Sequence, residues 1–183
     1  IKTNDMILLG NNQPDWMMGW TNTFSFKNFT FSFMIDMRKG GDVYMGSIVA
    51  GTRNGTLDMT LPGREGGIVV PGVLEDKSVN TVDINAQKYW SGISGITEAY
   101  MYDATNIRLR ELSLGYTFPK SLLSKTPFTN LKLSFVARNL WMIHSNTKGF
   151  DPEAAYTSGN AQGIEYGSMP TMRSLGLNLN VAF

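Results

Sequence analysis

The sequence contains no cysteine and only one histidine, His144. The first absence excludes a disulfide scaffold and a thiolate metal site, and a lone histidine has no partner ligands. Charge is scarce as well. Asp, Glu, Lys and Arg make up 17% of the 183 residues and nearly cancel, leaving a formal net charge of +1. So even a balance offers no electrostatic footprint for nucleic acid. No apolar run approaches the roughly 18 to 20 residues of a transmembrane helix; the longest candidate, Met6-Ile7-Leu8-Leu9, is far too short. No basic segment with an apolar core stands at the start, and the chain begins at Ile1. It is therefore expected to be a mature or cut product without a signal peptide. The mean hydropathy of −0.14 does not separate water from membrane, because strands with alternating faces average out in a hydropathy window.

What the sequence does have is alternation. Hydrophobic residues reach 42% and aromatics 11%, enough for one domain with a real core. Five segments carry a period of two. In 20–26, Trp20, Phe24 and Phe26 oppose Thr21, Thr23 and Ser25. In 29–37, Phe29, Phe31, Phe33, Ile35 and Met37 oppose Thr30, Ser32, Met34 and Asp36. Only Lys27 and Asn28 separate these two segments, the length of a tight hairpin, with Asn28 able to take a positive φ. That loop predicts a register pairing Phe26 with Phe29, Phe24 with Phe31 and Asn22 with Phe33.

In 107–118, Leu112, Leu114, Tyr116 and Phe118 share a face, but Ile107 and Leu109 fall out of phase. Either a bulge sits near Arg110-Glu111, or the upper part lies beyond the buried zone. In 131–141, Leu131, Leu133, Phe135 and Ala137 oppose Lys132, Ser134, Val136 and Arg138. The last segment, 173–183, sets Leu175, Leu177, Leu179, Val181 and Phe183 against small or polar residues.

The joins between segments alternate strictly between short and long, so the long ones, about 38–106 and 142–172, emerge at one end of the sheet. Outer-membrane barrels have that asymmetry, with short periplasmic turns and long extracellular loops. The apolar faces carry no charge in their central parts, and Trp20, Tyr116, Phe118 and Phe183 stand near segment ends, where aromatic girdles lie. The pattern thus predicts an all-β fold, an antiparallel transmembrane β-barrel portion with long extracellular loops. The alternative reading is a soluble, secreted β-sandwich that binds glycans through loop aromatics. Five strands cannot close a barrel, and open edges are not tolerated in lipid. The barrel reading therefore requires a longer chain or other chains.

MYDATNIRLRELSLGYTFPKSLLSK, residues 101–125, resembles the SusC/RagA family of TonB-dependent outer-membrane transporters. NNQPDWMMGWTNTFSFKNFTFSFMIDMRKGGDVY, ARNLWMIHSNTKGFDPEA and MPTMRSLGLNLNVAF agree with the same family in the same order. The resemblance implies the last five or so strands of a plugged barrel of about 22 strands. It implies import of oligosaccharides or peptides, energy delivered by the TonB complex through an N-terminal region, and a SusD-like surface lipoprotein over the extracellular mouth. The implied setting is the bacterial outer membrane, with lipid against the strands and no nucleic-acid partner. The terminal Phe183 resembles the signal read by the barrel-assembly machinery. The plug domain, the TonB-contacting box and most barrel strands have no counterpart here.

No cofactor, metal or covalent chemistry is expected. His144 has no candidate partners for a site. Asp151 and Glu153, in GFDPE, have the residue types of a glycosidase pair. Pro152 between them, with Asp151 bonding nearby backbone, equally makes a loop turn. Arg108, Arg110 and Glu111 read as substrate contacts in the lumen or as a charge ladder across strands, and Lys132 and Arg138 read the same way. The loop aromatics Tyr89, Trp90 and Tyr100 can stack on sugar rings, anchor the loop's own fold or meet the lid. With Trp141, Asp151 and Glu153 they form the set of candidate substrate or lid contacts. Their chemistry is binding, and the chain is not expected to be an enzyme.

Overall fold

The structure, a computed structural model, describes residues 6–147, 149–154, 159 and 161–183. In chain order the first elements are β1 (Trp16–Phe26), β2 (Phe29–Lys39), β3 (Asp42–Met45) and α1 (Gly46–Asn54). β4 (Ile68–Val69), β5 (Asp83–Ile84), α2 (Ala86–Ile93) and β6 (Met101–Asp103) follow. The remainder holds β7 (Asn106–Thr117), α3 (Lys120–Leu123), β8 (Asn130–Ser145), β9 (Ile164–Glu165) and β10 (Ser174–Ala182). The chain divides into two compact units.

One unit, drawn from 13–41, 103–154 and 169–183, is built on a single five-stranded sheet in the order β1-β2-β7-β8-β10. Every neighbouring pair is antiparallel. The hairpin register is the one its two-residue loop requires, with Phe26 opposite Phe29, Phe24 opposite Phe31 and Asn22 opposite Phe33. The turn itself differs from expectation in one respect. The left-handed residue is Lys27, at φ 52°, rather than Asn28; hairpin turns of the II′ kind place their positive φ at the first central residue. Asn28 instead offers its carbonyl to the Thr117 amide of the next strand, at 2.8 Å.

The phase break in β7 is a bulge. Met34 and Ile35 are adjacent in β2, yet pair with Glu111 and Leu109, so Arg110 is an extra residue. One inserted residue turns the remainder of the strand over. Leu109 and Ile107 thereby return to the face of their partners Ile35 and Met37. β8 answers with Asn139 and Leu140 opposite that single Arg110. Asn139 takes φ 49° there, a conformation that asparagine tolerates better than most side chains.

Among the described residues of this unit, no second sheet packs on the apolar face. Leu177 is 76% exposed, Leu114 47% and Phe135 40%. The sandwich reading is corrected accordingly, since it requires these residues sealed between two layers. Aromatic contacts gather near the short-turn end: Phe29 with Tyr116 at 4.8 Å, Tyr116 with Phe118 at 5.1 Å and Phe128 with Phe183 at 5.4 Å.

The other unit is drawn from 6–12, 42–102 and 161–168. The long connection after β2 thus folds on its own terms, with helices α1 and α2 and short strand pairs. α2 is capped by Asn85, whose side chain accepts from the Gln87 amide at 2.8 Å. The N-cap of α1 is Met45, which makes no capping side-chain bond. Glu165 supplies the cap from a distant part of the chain. Its carboxylate accepts from Ser47 N at 3.1 Å, Ser47 Oγ at 2.6 Å and Ser168 N at 3.2 Å, and the residue is 2% exposed. A buried carboxylate is tolerable there because orphan amides and the helix dipole both favour negative charge. Glu165→Ala is expected to destabilise this unit by about 2–3 kcal/mol by stranding those donors. Hydrogen exchange across 46–54 checks it, with faster exchange there and none added in β7 or β8.

Candidate functional site

The face of the large sheet opposite the apolar one carries the charges. Asp36 in β2 stands opposite Arg108 in β7, and the bulge sets Arg110 beside them. Arg110 bonds Asp36 through Nε at 3.1 Å and through Nη2. It also grips Glu153 with two parallel bonds, Nη2 to Oε1 at 2.9 Å and Nη1 to Oε2 at 3.0 Å. This planar two-point geometry is particular to arginine. Arg108 reaches Asp151 at 2.6 Å, and their side chains are 4% and 7% exposed. Thr171 completes the joint, donating to Asp151 through its amide at 2.9 Å and its hydroxyl at 2.5 Å, while that hydroxyl accepts from Arg108. Further along the face Arg138 pairs with Glu111 at 3.1 Å, partly in solvent.

The charge-ladder reading therefore describes Arg108, Arg110, Glu111 and Arg138. The pair Asp151 and Glu153 serves it as a latch, with both carboxylates facing arginines rather than a sugar cleft. Asp151 also accepts from the Glu153 amide at 3.0 Å, the turn its Asp-Pro-Glu context suggested. Burial pushes the Asp151 carboxyl up, but bonds from Thr171, Arg108 and the Glu153 amide outweigh it and hold the pKa at about 2. Such a group stays ionised and cannot carry a proton near neutrality. Thr171 and Asn139, which bonds Arg110 and the Met172 carbonyl, were not among the residues singled out from sequence. A threonine or asparagine gives no signal until its partners, tens of positions away in the chain, are in place.

His144 is exposed and lies 3.0 Å from Asn146 Oδ1. Among the described residues no group of three or more His, Asp or Glu side chains is gathered for a metal. Trp141 pairs with Leu109, so it belongs to the apolar face, 57% exposed.

In the other unit, Tyr89 and Trp90 meet edge to face at 4.9 Å on α2. Tyr100 is only 1% exposed, which makes it part of the interior and corrects its reading as a contact residue. Trp90 lines a cavity of about 590 Å³ between the end of α1 and the start of α2, together with Arg53, Arg64 and Asn85. Its indole Nε1 is buried away from that open space and has no partner among the described residues.

Comparison with known proteins agrees with this architecture. No family model matches the chain. It is similar to TonB-dependent receptor P3 of Formosa agariphila, 30% identical over 196 residues that cover all of this chain and 18% of the receptor. TonB-dependent receptor P39 of the same organism is 30% identical over 186 residues, covering 98% of this chain and 17% of the receptor. Among solved structures it matches the RagAB peptide importer in its closed-closed state, with a TM-score of 0.66 and 20% identity over 93% of this chain and 17% of that one. The open-open state of the same importer gives 0.62 at 18% identity, over the same shares of the two chains. The mostly β architecture and antiparallel sheet are thus those of part of a TonB-dependent receptor barrel. TonB-dependent receptors reside in the bacterial outer membrane and are transporters, not enzymes. The chain corresponds to part of a TonB-dependent receptor and spans less than a fifth of the length of the two receptors it matches.

Proposed function

We propose that the five strands form part of the transmembrane wall of a plugged barrel of about 22 strands. The barrel would import oligosaccharides or peptides under a SusD-like lipoprotein lid. In this reading β1, β2, β7, β8 and β10 cross the membrane, and residues 38–106 and 142–172 form extracellular loops. The polar face, with its arginine–carboxylate ladder, lines the lumen. The TonB complex acts through a plug region outside this sequence, and cargo then diffuses from the lid-covered chamber. Tyr89 and Trp90 remain the candidates for cargo or lid contact. The RagAB structures are those of a peptide importer, which supports the same class of transport for this chain.

The observation that carries the reading is a one-sided apolar sheet in a single layer. Its dimensions suit a bilayer. Trp16, Met18, Trp20, Phe24 and Phe26 share the apolar side of β1, and ten residue steps separate Trp16 from Phe26. At about 3.3 Å per step that is roughly 33 Å of strand. Tilted by about 40°, it spans about 25 Å, the height of an outer-membrane apolar band between its aromatic girdles. Membranes carrying the full-length receptor are expected to retain it through an alkaline carbonate wash and to release it only into detergent. Release into buffer alone overturns the reading, as does cargo uptake that continues when TonB is deleted.

A further inference from the structure

The cavity between α1 and α2 has a lining of one chemical sign. Arg53 and Arg64 supply two cations, and no carboxylate lines it among the described residues. Arg64 is partly spent within the loop, bonding the Gly55 carbonyl, the Thr60 carbonyl at 3.1 Å and the Thr60 hydroxyl at 3.0 Å. Arg53 is exposed in the last turn of α1, with no ion pair among the described residues. The side-chain amides of Asn54, Asn85 and Gln87 complete the wall. Around 590 Å³ lies within the range of cavities that hold small ligands.

We propose that this cavity binds an acidic oligosaccharide, one that carries a carboxylate or sulfate on its sugar rings. The inference rests on the import reading and narrows its cargo. A donor-rich wall without carboxylates selects an acceptor-rich anion, and the guanidinium fork matches the planar or triangular oxygens of such groups. Amides that both donate and accept suit ring hydroxyls, and an indole offers an apolar face to a sugar ring. A peptide is the poorer fit. Among the described residues no strand edge lines the cavity to add main-chain bonds, and no aliphatic side chain larger than alanine is present to make pockets for its residues.

The test is calorimetric titration of the detergent-solubilised full-length receptor with trigalacturonate, its methyl ester, a sulfated trisaccharide and triglutamate. At least one acidic sugar is expected to bind tenfold or more tightly than the uncharged ester. Arg53→Gln should weaken that binding about ten- to a hundredfold and leave the ester unchanged. Trp90→Ala removes the ring from the wall, and should weaken acid and ester alike. The proposal is overturned if neither acidic sugar binds, if acid and ester bind equally, or if Arg53→Gln has no effect. Triglutamate binding as tightly, with the same sensitivity to Arg53→Gln, overturns the sugar assignment. A receptor that stays in carbonate-washed membranes while failing these titrations loses only the cavity's assignment, not the import reading.

Discussion

Leu177→Arg is expected to cost the folded receptor about 2–4 kcal/mol in a bilayer and to cut its membrane yield, while Asn178→Arg leaves both close to wild type. The two positions are adjacent in β10 and pair with Phe135 and Ser134 on β8. In sequence they differ by one step; in the sheet they differ by a face. A guanidinium at 177 would sit in the middle of the apolar band, opposite Phe135 and flanked by Leu175 and Leu179 on its own strand. At 178 it would join the side that already carries Lys132 and Arg138. Heat-modifiable migration of the receptor gives the folded fraction, and urea unfolding in lipid vesicles gives the free energy. Equal losses at the two positions would mean that the apolar side does not meet hydrocarbon.

That contrast depends on alternation, which is the part of the fold most legible in the sequence. A strand's side-chain period of two is local, so Phe29 to Met37 declares its face without help from the rest of the chain. The hairpin register was equally legible, because a two-residue loop leaves little freedom in pairing. The out-of-phase Ile107 and Leu109 were visible as an irregularity. Its cause was not, since a bulge is defined by two residues opposing one on a neighbour that sequence alone does not identify. The loop region was the least legible. α1 and α2 are short, and the cap on α1 comes from Glu165, more than a hundred positions away in the chain. The candidate site divides in the same way. Asp151 and Glu153 stood out by type and spacing, and their turn could be foreseen. Their arginine partners could not, because nothing local links 108 to 151. Burial likewise decided the fate of Tyr100, which looks like any other loop aromatic until its surroundings are known.

The latch yields the second large effect. Asp151→Ala is expected to loosen the loop by about 2–3 kcal/mol, because it takes from the buried Arg108 its hydrogen-bonded carboxylate and leaves only that of Glu153, 3.6 Å away. The side chain of Arg108 is 4% exposed, and its Nε already lacks a partner among the described residues, so little solvent is at hand to compensate. Glu153 stays held by its two bonds to Arg110, which confines the damage. Hydrogen exchange should rise in 149–154 and 169–173 and stay unchanged in β1 and β2. Asp151→Asn keeps the shape and one acceptor, so a smaller loss is expected. Acid should mimic the substitution. With a pKa of about 2 in the folded chain against an ordinary 3.8, the carboxylate's contribution is complete above pH 4 and fades as pH falls through 2. After allowance for solvent screening, the loss amounts to about 1–2 kcal/mol. Asp151→Asn has no proton to take up at that site and should lose this part of the acid response. If the acid response of the loop persists undiminished in that variant, the joint between Arg108 and Asp151 is not what holds the loop against the sheet.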